Sequence, residues 1–165
     1  MSKTFVKLVS DITSKIDSRI VLALDPVFNP YAIKPHEGRS RERYTNCARI
    51  QDLLAELDGL VAGVKIGLPL IFGLGLDLVE DIISSARKSY FFICDPKMAD
   101  IGHINRLEAT QLFDIGFDAL IIHAVVGIKG GLDEVVDLAE DMEKGVLGLC
   151  AMSHPGAGEH LNRYY

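Results

Sequence analysis

Five short runs rich in Val, Ile, Leu and Phe, at positions 19–24, 60–66, 90–94, 118–123 and 145–152, alternate with segments of helical period. This alternation restricts the possible folds more than any other feature. Each run reads as a strand buried on both faces. Between the runs lie helical repeats such as Cys47, Ile50, Leu53, Leu54 and Leu57, then Leu132, Val135, Val136, Ala139 and Met142. Ahead of the first run, Phe5, Leu8, Val9, Ile12 and Ile16 keep the same spacing with charges between them, a docking helix rather than a signal peptide. Apolar strands alternating with helices require a parallel sheet with right-handed crossovers, as an open doubly wound sheet or as a barrel.

The positions of the polar residues separate these two. Asp25, Lys65, Asp95 with Lys97, His123 and Ser153 each fall at or just past the C-terminal end of a different strand. A barrel gathers those ends at one mouth, where its catalytic groups sit. An open sheet spreads them in a line and usually carries a glycine-rich turn after its first strand, whereas here Asp25-Pro26-Val27-Phe28 follows. The expected fold is a (β/α)8 barrel, incomplete at the C-terminus, in a single partial domain over residues 1–165. Complete barrels typically need roughly 250 residues. A long polar loop at about 26–44 is expected over the mouth.

The net charge of −6, with Lys and Arg scattered along the chain, gives no basic face for nucleic acid or an anionic membrane. No apolar run approaches the ~20 residues that span a bilayer. Cys47, Cys94 and Cys150 share no metal-ligand spacing and read as reduced thiols, two of them in apolar runs, of a cytoplasmic protein.

The chemistry concentrates in Asp95-Pro96-Lys97-Met98-Ala99-Asp100-Ile101. Alternate residues of a strand share a face, so Asp95 and Lys97 are expected to point together into the mouth, with Asp100 in the next loop. Such charges persist near a core only as a mutually neutralising set, and Lys65 supplies the second cation. Alternating signs keep the carboxylates ionised and the ammonium groups protonated. The plainer reading is a structural ion-pair network. Asp25 suits a turn cap, His123 a supporting hydrogen bond or a core position, and His36 and His103 loop positions. Gly127, Gly130 and Gly131 suit the start of a helix better than a phosphate cradle.

LALD ending at Asp25, VKIGLPL around Lys65, DPKMADI from Asp95, DALIIHA before Val125 and MSHPGA from Met152 together resemble the orotidine 5′-monophosphate decarboxylases. The likeness runs from the first strand to the last residues. It implies cofactor-independent and metal-free decarboxylation of orotidine 5′-monophosphate to UMP in pyrimidine biosynthesis. Lys97 would stabilise the carbanion at C6 and protonate it, with Asp95 against the substrate carboxylate. Asp100 would reach the site of a second subunit, hence a homodimer. Lys65 and Asp25 would take ribose hydroxyls, with Lys65 also orienting Asp95. Ser153 would meet the pyrimidine edge, and His154, Pro155 and Gly156 would shape its turn. Ile104 stands where many members have a threonine, at the substrate and dimer contact.

The family's phosphate-binding residues lie in the last third of the barrel and have no counterpart here. The resemblance therefore implies a truncated chain or a second polypeptide supplying the remaining strands, and little activity from these residues alone. Two other readings remain. One is a metal-dependent sugar-phosphate decarboxylase or aldolase of the same superfamily, in which the second strand is expected to end in a metal-binding glutamate where this chain has Lys65. The other is a non-catalytic partial-barrel module.

Overall fold

The computed structural model describes residues 3–26, 29–32 and 36–159. Helix α1 (Lys3–Ile16) leads into β1 (Val21–Leu24), a short 3-10 turn (Pro30–Ala32) and α2 (His36–Glu56). Then follow β2 (Gly63–Gly67), α3 (Leu68–Leu74), α4 (Leu76–Ala86), β3 (Phe91–Met98) and α5 (Gly102–Asp114). The last elements are β4 (Ala119–His123), α6 (Asp133–Asp141), β5 (Gly145–Leu149) and a 3-10 turn at Pro155–Glu159.

The strands form one parallel sheet in the order β1-β2-β3-β4-β5. A doubly wound sheet reverses direction around its first strand and places it inside. Here β1 is at one edge and the order never reverses, which is the arc of a barrel.

Strand alternation builds two apolar layers. Val64, Ile66, Phe92, Cys94, Leu120 and Ile122 face outward and pack with Leu54, Val79, Ile82, Phe113 and Val135 of the helices. Each large side chain buried there contributes roughly 1.5–3 kcal/mol. On the other face Phe91, Ile93 and Ala119 pack with Phe5, and Leu8, Val9, Ile12 and Ile16 of α1 close over them. Thus α1 docks on the inner face of the sheet. Its Phe5 ring meets Phe91 edge-on at 6.3 Å. Gly145 permits this, because a Cβ there would lie 2.3 Å from the Phe5 ring.

Several boundaries differ from the sequence reading. The segment expected as a loop at about 26–44 is helical from His36, because α2 is anchored early. Arg39 Nε donates to Pro30 O at 3.3 Å, and Arg43 bonds Leu74 O and, at 2.9 Å, Asp77 Oδ1. Residues 60–62 precede β2, β3 runs past Cys94 to Met98, and β5 ends at Leu149. Burial on both faces holds for the central strands only. Val21 of β1 is 41% exposed and β5 is half-open, since the outer edges of both find no strand partner among the described residues. His103 lies on α5 rather than in a loop, and the His36 side chain lies outside the described residues. No helix among the described residues is long and apolar enough to cross a membrane.

Candidate active site

Asp95 is the hub. Its carboxylate accepts from Lys65 Nζ at 2.9 Å through Oδ2, and from Lys97 Nζ at 3.0 Å through both oxygens. Lys65 also stands 3.8 Å from Asp25 Oδ2. Adjacent parallel strands deliver the four groups: Asp25 just past β1, Lys65 on β2, and Asp95 with Lys97 on β3. The pairings Ala23↔Lys65 and Gly67↔Asp95 set Lys65 two residues lower on the sheet than Asp25 and Asp95, and its long side chain rises to meet both carboxylates. At Gly67 a Cβ would lie 3.0 Å from Asp25 Oδ1, so glycine leaves the room that this carboxylate occupies.

Lys97 does not get there as part of a regular strand. Between Cys94 and Met98 the β3 register slips against β4, where only Leu120 to Ile122 are spanned, so β3 carries a bulge at Asp95-Pro96-Lys97. Within it Lys97 adopts φ +50°, the left-handed region, at a cost of roughly 1–3 kcal/mol for a residue with a Cβ. The expected common face of Asp95 and Lys97 is therefore reached by a bulge that folds the ammonium back onto the carboxylate.

The Asp95 side chain is only 8% exposed, Lys65 26% and Lys97 41%. Burial pushes the Asp95 carboxyl up, but the hydrogen bonds and charges of Lys65 and Lys97 outweigh it, holding the group below the usual carboxylate range. A lowered native value means that the ionised carboxylate stabilises the fold in full above the unfolded value, near 4, and that this contribution is lost as pH falls through the native value. The difference in urea midpoint between wild type and Asp95→Asn is therefore expected to be constant at neutral pH and to shrink below about pH 4. A difference that grew on acidification would contradict the ion-pair geometry.

Asp100 stands apart from the array. Its Oδ1 accepts from Ile101 N at 2.7 Å, and no lysine or arginine of the described residues pairs with it. It lines, with Lys97, Pro96 and Met98, a cleft of about 670 Å³ that Leu68, Ile71 and Phe72 bound on the other side. Ile104 is half-buried on α5. Ser153, His154, Pro155 and Gly156 are exposed in the turn after β5, held by Ala157 N donating to His154 O at 3.0 Å. His123 accepts from Val125 N at 3.4 Å, a bond inside its own turn. Gly127 and Gly130 have positive φ ahead of α6, and Asp133 Oδ2 accepts from Gly130 N.

Burial raises the Cys94 thiol to about 12, with Asp95 adding to it, so Cys94 is no nucleophile. Cys47 is also buried, whereas Cys150 is exposed. The sequence reading overlooked Asn105. It is fully buried and bonds the Asp100 backbone on both sides, yet one asparagine in a helical segment carries no periodic or motif signal.

The chain as a whole has counterparts among known proteins. A family model described as Orotidine 5'-phosphate decarboxylase / HUMPS family matches residues 18–164. The orotidine 5'-phosphate decarboxylase of Aeropyrum pernix is 33% identical over 144 residues, covering 87% of this chain and 52% of that protein. The one from Methanosarcina mazei is 38% identical over 101 residues, 61% of this chain and 44% of that protein. Among solved structures, orotidine 5'-monophosphate decarboxylase from Methanocaldococcus jannaschii superposes with a TM-score of 0.66 at 27% identity, covering 87% of this chain and 59% of that one. A second structure of it, complexed with the inhibitor BMP, gives the same TM-score over 57% of that chain. The chain spans about half the length of the curated relatives it matches.

Proposed function

Since this chain belongs to the orotidine 5′-phosphate decarboxylase / HUMPS family, we propose that its charged array serves the decarboxylation of orotidine 5′-monophosphate to UMP. The observation that carries the reading is a carboxylate clasped between two ammonium groups at 2.9 and 3.0 Å at one end of a parallel sheet. Loss of CO2 leaves an electron pair at C6 in the plane of the pyrimidine, where the ring delocalises it poorly. Stabilisation then comes from fixed charge, aimed in advance at the place where negative charge develops. Lys97 meets that need: its ammonium faces the carbanion and transfers a proton to C6, becoming the neutral amine, which solvent reprotonates.

Asp95 lies against the departing carboxylate, and the repulsion is relieved as CO2 leaves. Lys65 holds Asp95 and, with Asp25, takes ribose hydroxyls. The Ser153 turn reads the pyrimidine edge, with Pro155 and Gly156 shaping it, and Ile104 adds an apolar contact at the dimer face. The absence of a lysine or arginine partner for Asp100 among the described residues supports its use in the site of a second copy, so the active form is a homodimer. Lys65, which lies in the middle of β2 and not at its end as the sequence suggested, occupies the position where the sugar-phosphate branch is expected to place a metal-binding glutamate, and this supports the pyrimidine substrate.

The test follows CO2 release from orotidine 5′-monophosphate. The open edges of β1 and β5 leave the mouth half-walled, so turnover is expected to be low for the 165 residues alone. It should rise when a second polypeptide pairs with those edges. Activity should survive EDTA. Loss of activity on chelation would move the chain to the metal-dependent branch, and failure to release CO2 in either assembly would end the decarboxylase reading.

A further inference from the structure

We propose that Asn105 is a positioning residue whose buried side-chain amide sets the direction in which Asp100 leaves the sheet. The inference rests on the reading of Asp100 as a carboxylate of the decarboxylation site. Asn105 and Asp118 are the buried polar side chains among the described residues, and Asn105 alone is at 0% exposure. Its Oδ1 accepts from Asp100 N at 3.0 Å, while Nδ2 donates to Asp100 O at 2.5 Å and to Gly131 O at 2.9 Å.

These contacts exceed what the start of α5 requires. Ile101 O already accepts from the backbone N–H groups of Ile104 and Asn105. Asparagine is also a poor helix former, and burying its amide is tolerable only when every polar atom is satisfied. What the amide adds is geometric. It grips Asp100 at both its N–H and its C=O, and ties that residue to the turn before α6 through Gly131. A second lock follows, because Ile101 N donates to Asp100 Oδ1 and leaves Oδ2 without a partner among the described residues. Main chain and carboxylate are thereby held in one orientation before any substrate arrives, as a preorganised charge requires. Gly102 lies close against the turn before α6, where a Cβ would stand 3.3 Å from Gly130 O.

Two measurements test this. The first is amide hydrogen exchange in wild type and Asn105→Ala. Exchange at Asp100 is expected to accelerate by about ten-fold or more, with Phe92 and Leu120 of the sheet unchanged. The second is a double-mutant cycle with Asp100→Ala, run in the assembly that turns over orotidine 5′-monophosphate. Asn105→Ala alone is expected to lower kcat about a hundred-fold with KM near the wild-type value. Added to Asp100→Ala it should cost no more than about two-fold.

Unchanged exchange at Asp100 overturns the proposal, and so do additive effects in the cycle, because general destabilisation does not act through Asp100. If no assembly releases CO2, the decarboxylase reading fails and the exchange result decides the positioning role by itself. Should Asn105→Ala not fold, Asn105→Ser, which keeps a shorter acceptor, is carried through the same measurements with the same criteria.

Discussion

On the proposed decarboxylase reading, replacing Lys97 by Ala in an assembly that turns over orotidine 5′-monophosphate is expected to lower kcat by about ten-thousand-fold or more, with a much smaller change in KM. Two losses coincide in this substitution. A fixed cation facing developing charge in a water-poor site is worth about a hundred- to a thousand-fold, and a positioned general acid about a hundred- to ten-thousand-fold. The fold should survive, because the Lys97 side chain is 41% exposed and Asp95 keeps its bond to Lys65. Lys97→Arg separates the two contributions: it retains positive charge but the guanidinium does not release a proton at any working pH. It is therefore expected to recover substrate binding and little turnover. Single-turnover measurements of CO2 release check both variants. A Lys97→Ala enzyme within about a hundred-fold of wild type would remove Lys97 from the chemistry.

The largest expected effect on stability lies at the opposite end of the sheet. Asp118, just before β4, receives Arg87 Nη1 on both carboxylate oxygens at 2.7 Å, and Oδ2 also accepts from Phe92 N at 2.7 Å. Arg87 continues to Gly116 O and covers the Phe92 ring at 5.7 Å. Asp118→Ala orphans a buried N–H of the central strand and removes the partner of a guanidinium. Breaking a buried ion pair costs roughly 3–5 kcal/mol, but Arg87 is 37% exposed and regains water, so about 2–4 kcal/mol is expected. For a chain of this size that corresponds to a fall in Tm of roughly 5–15 °C. Thermal unfolding with and without the substitution gives the answer. A shift below about 2 °C would mean that the pair adds nothing beyond surface electrostatics.

The site was only partly legible in the sequence. Lys65, Asp95 and Lys97 were identified as a set because each was expected at the end of a strand, and the fold brings both ammonium groups within 3.0 Å of the Asp95 carboxylate. The period-two argument for Asp95 and Lys97 reached a correct neighbourhood by a route the backbone does not take. A bulge, with Lys97 in a left-handed conformation, does what regular alternation was expected to do. Asp100, expected in the loop after Lys97, lies there and lines the same cleft as Lys97, but no lysine or arginine among the described residues pairs with it. The first two turns of α2 read as loop because their composition is polar and broken by Gly38. Their helicity rests on the Arg39 and Arg43 contacts to Pro30 O and Leu74 O, which are remote in sequence.

By itself the sequence determined the layer architecture and the chemical inventory. Apolar runs of strand length separated by helical repeats admit little else than a parallel sheet with helices outside it, and charges at strand ends have one natural meeting place. Tertiary structure decided what depends on contacts between distant segments. It put α1 on the inner face through Phe5 and Gly145, raised the bulge that turns Lys97 toward Asp95, and buried Asn105 against Gly131. The physical reason is that periodicity reports which face of an element is apolar, whereas the aim of a single side chain depends on the packing and hydrogen bonds that surrounding elements impose.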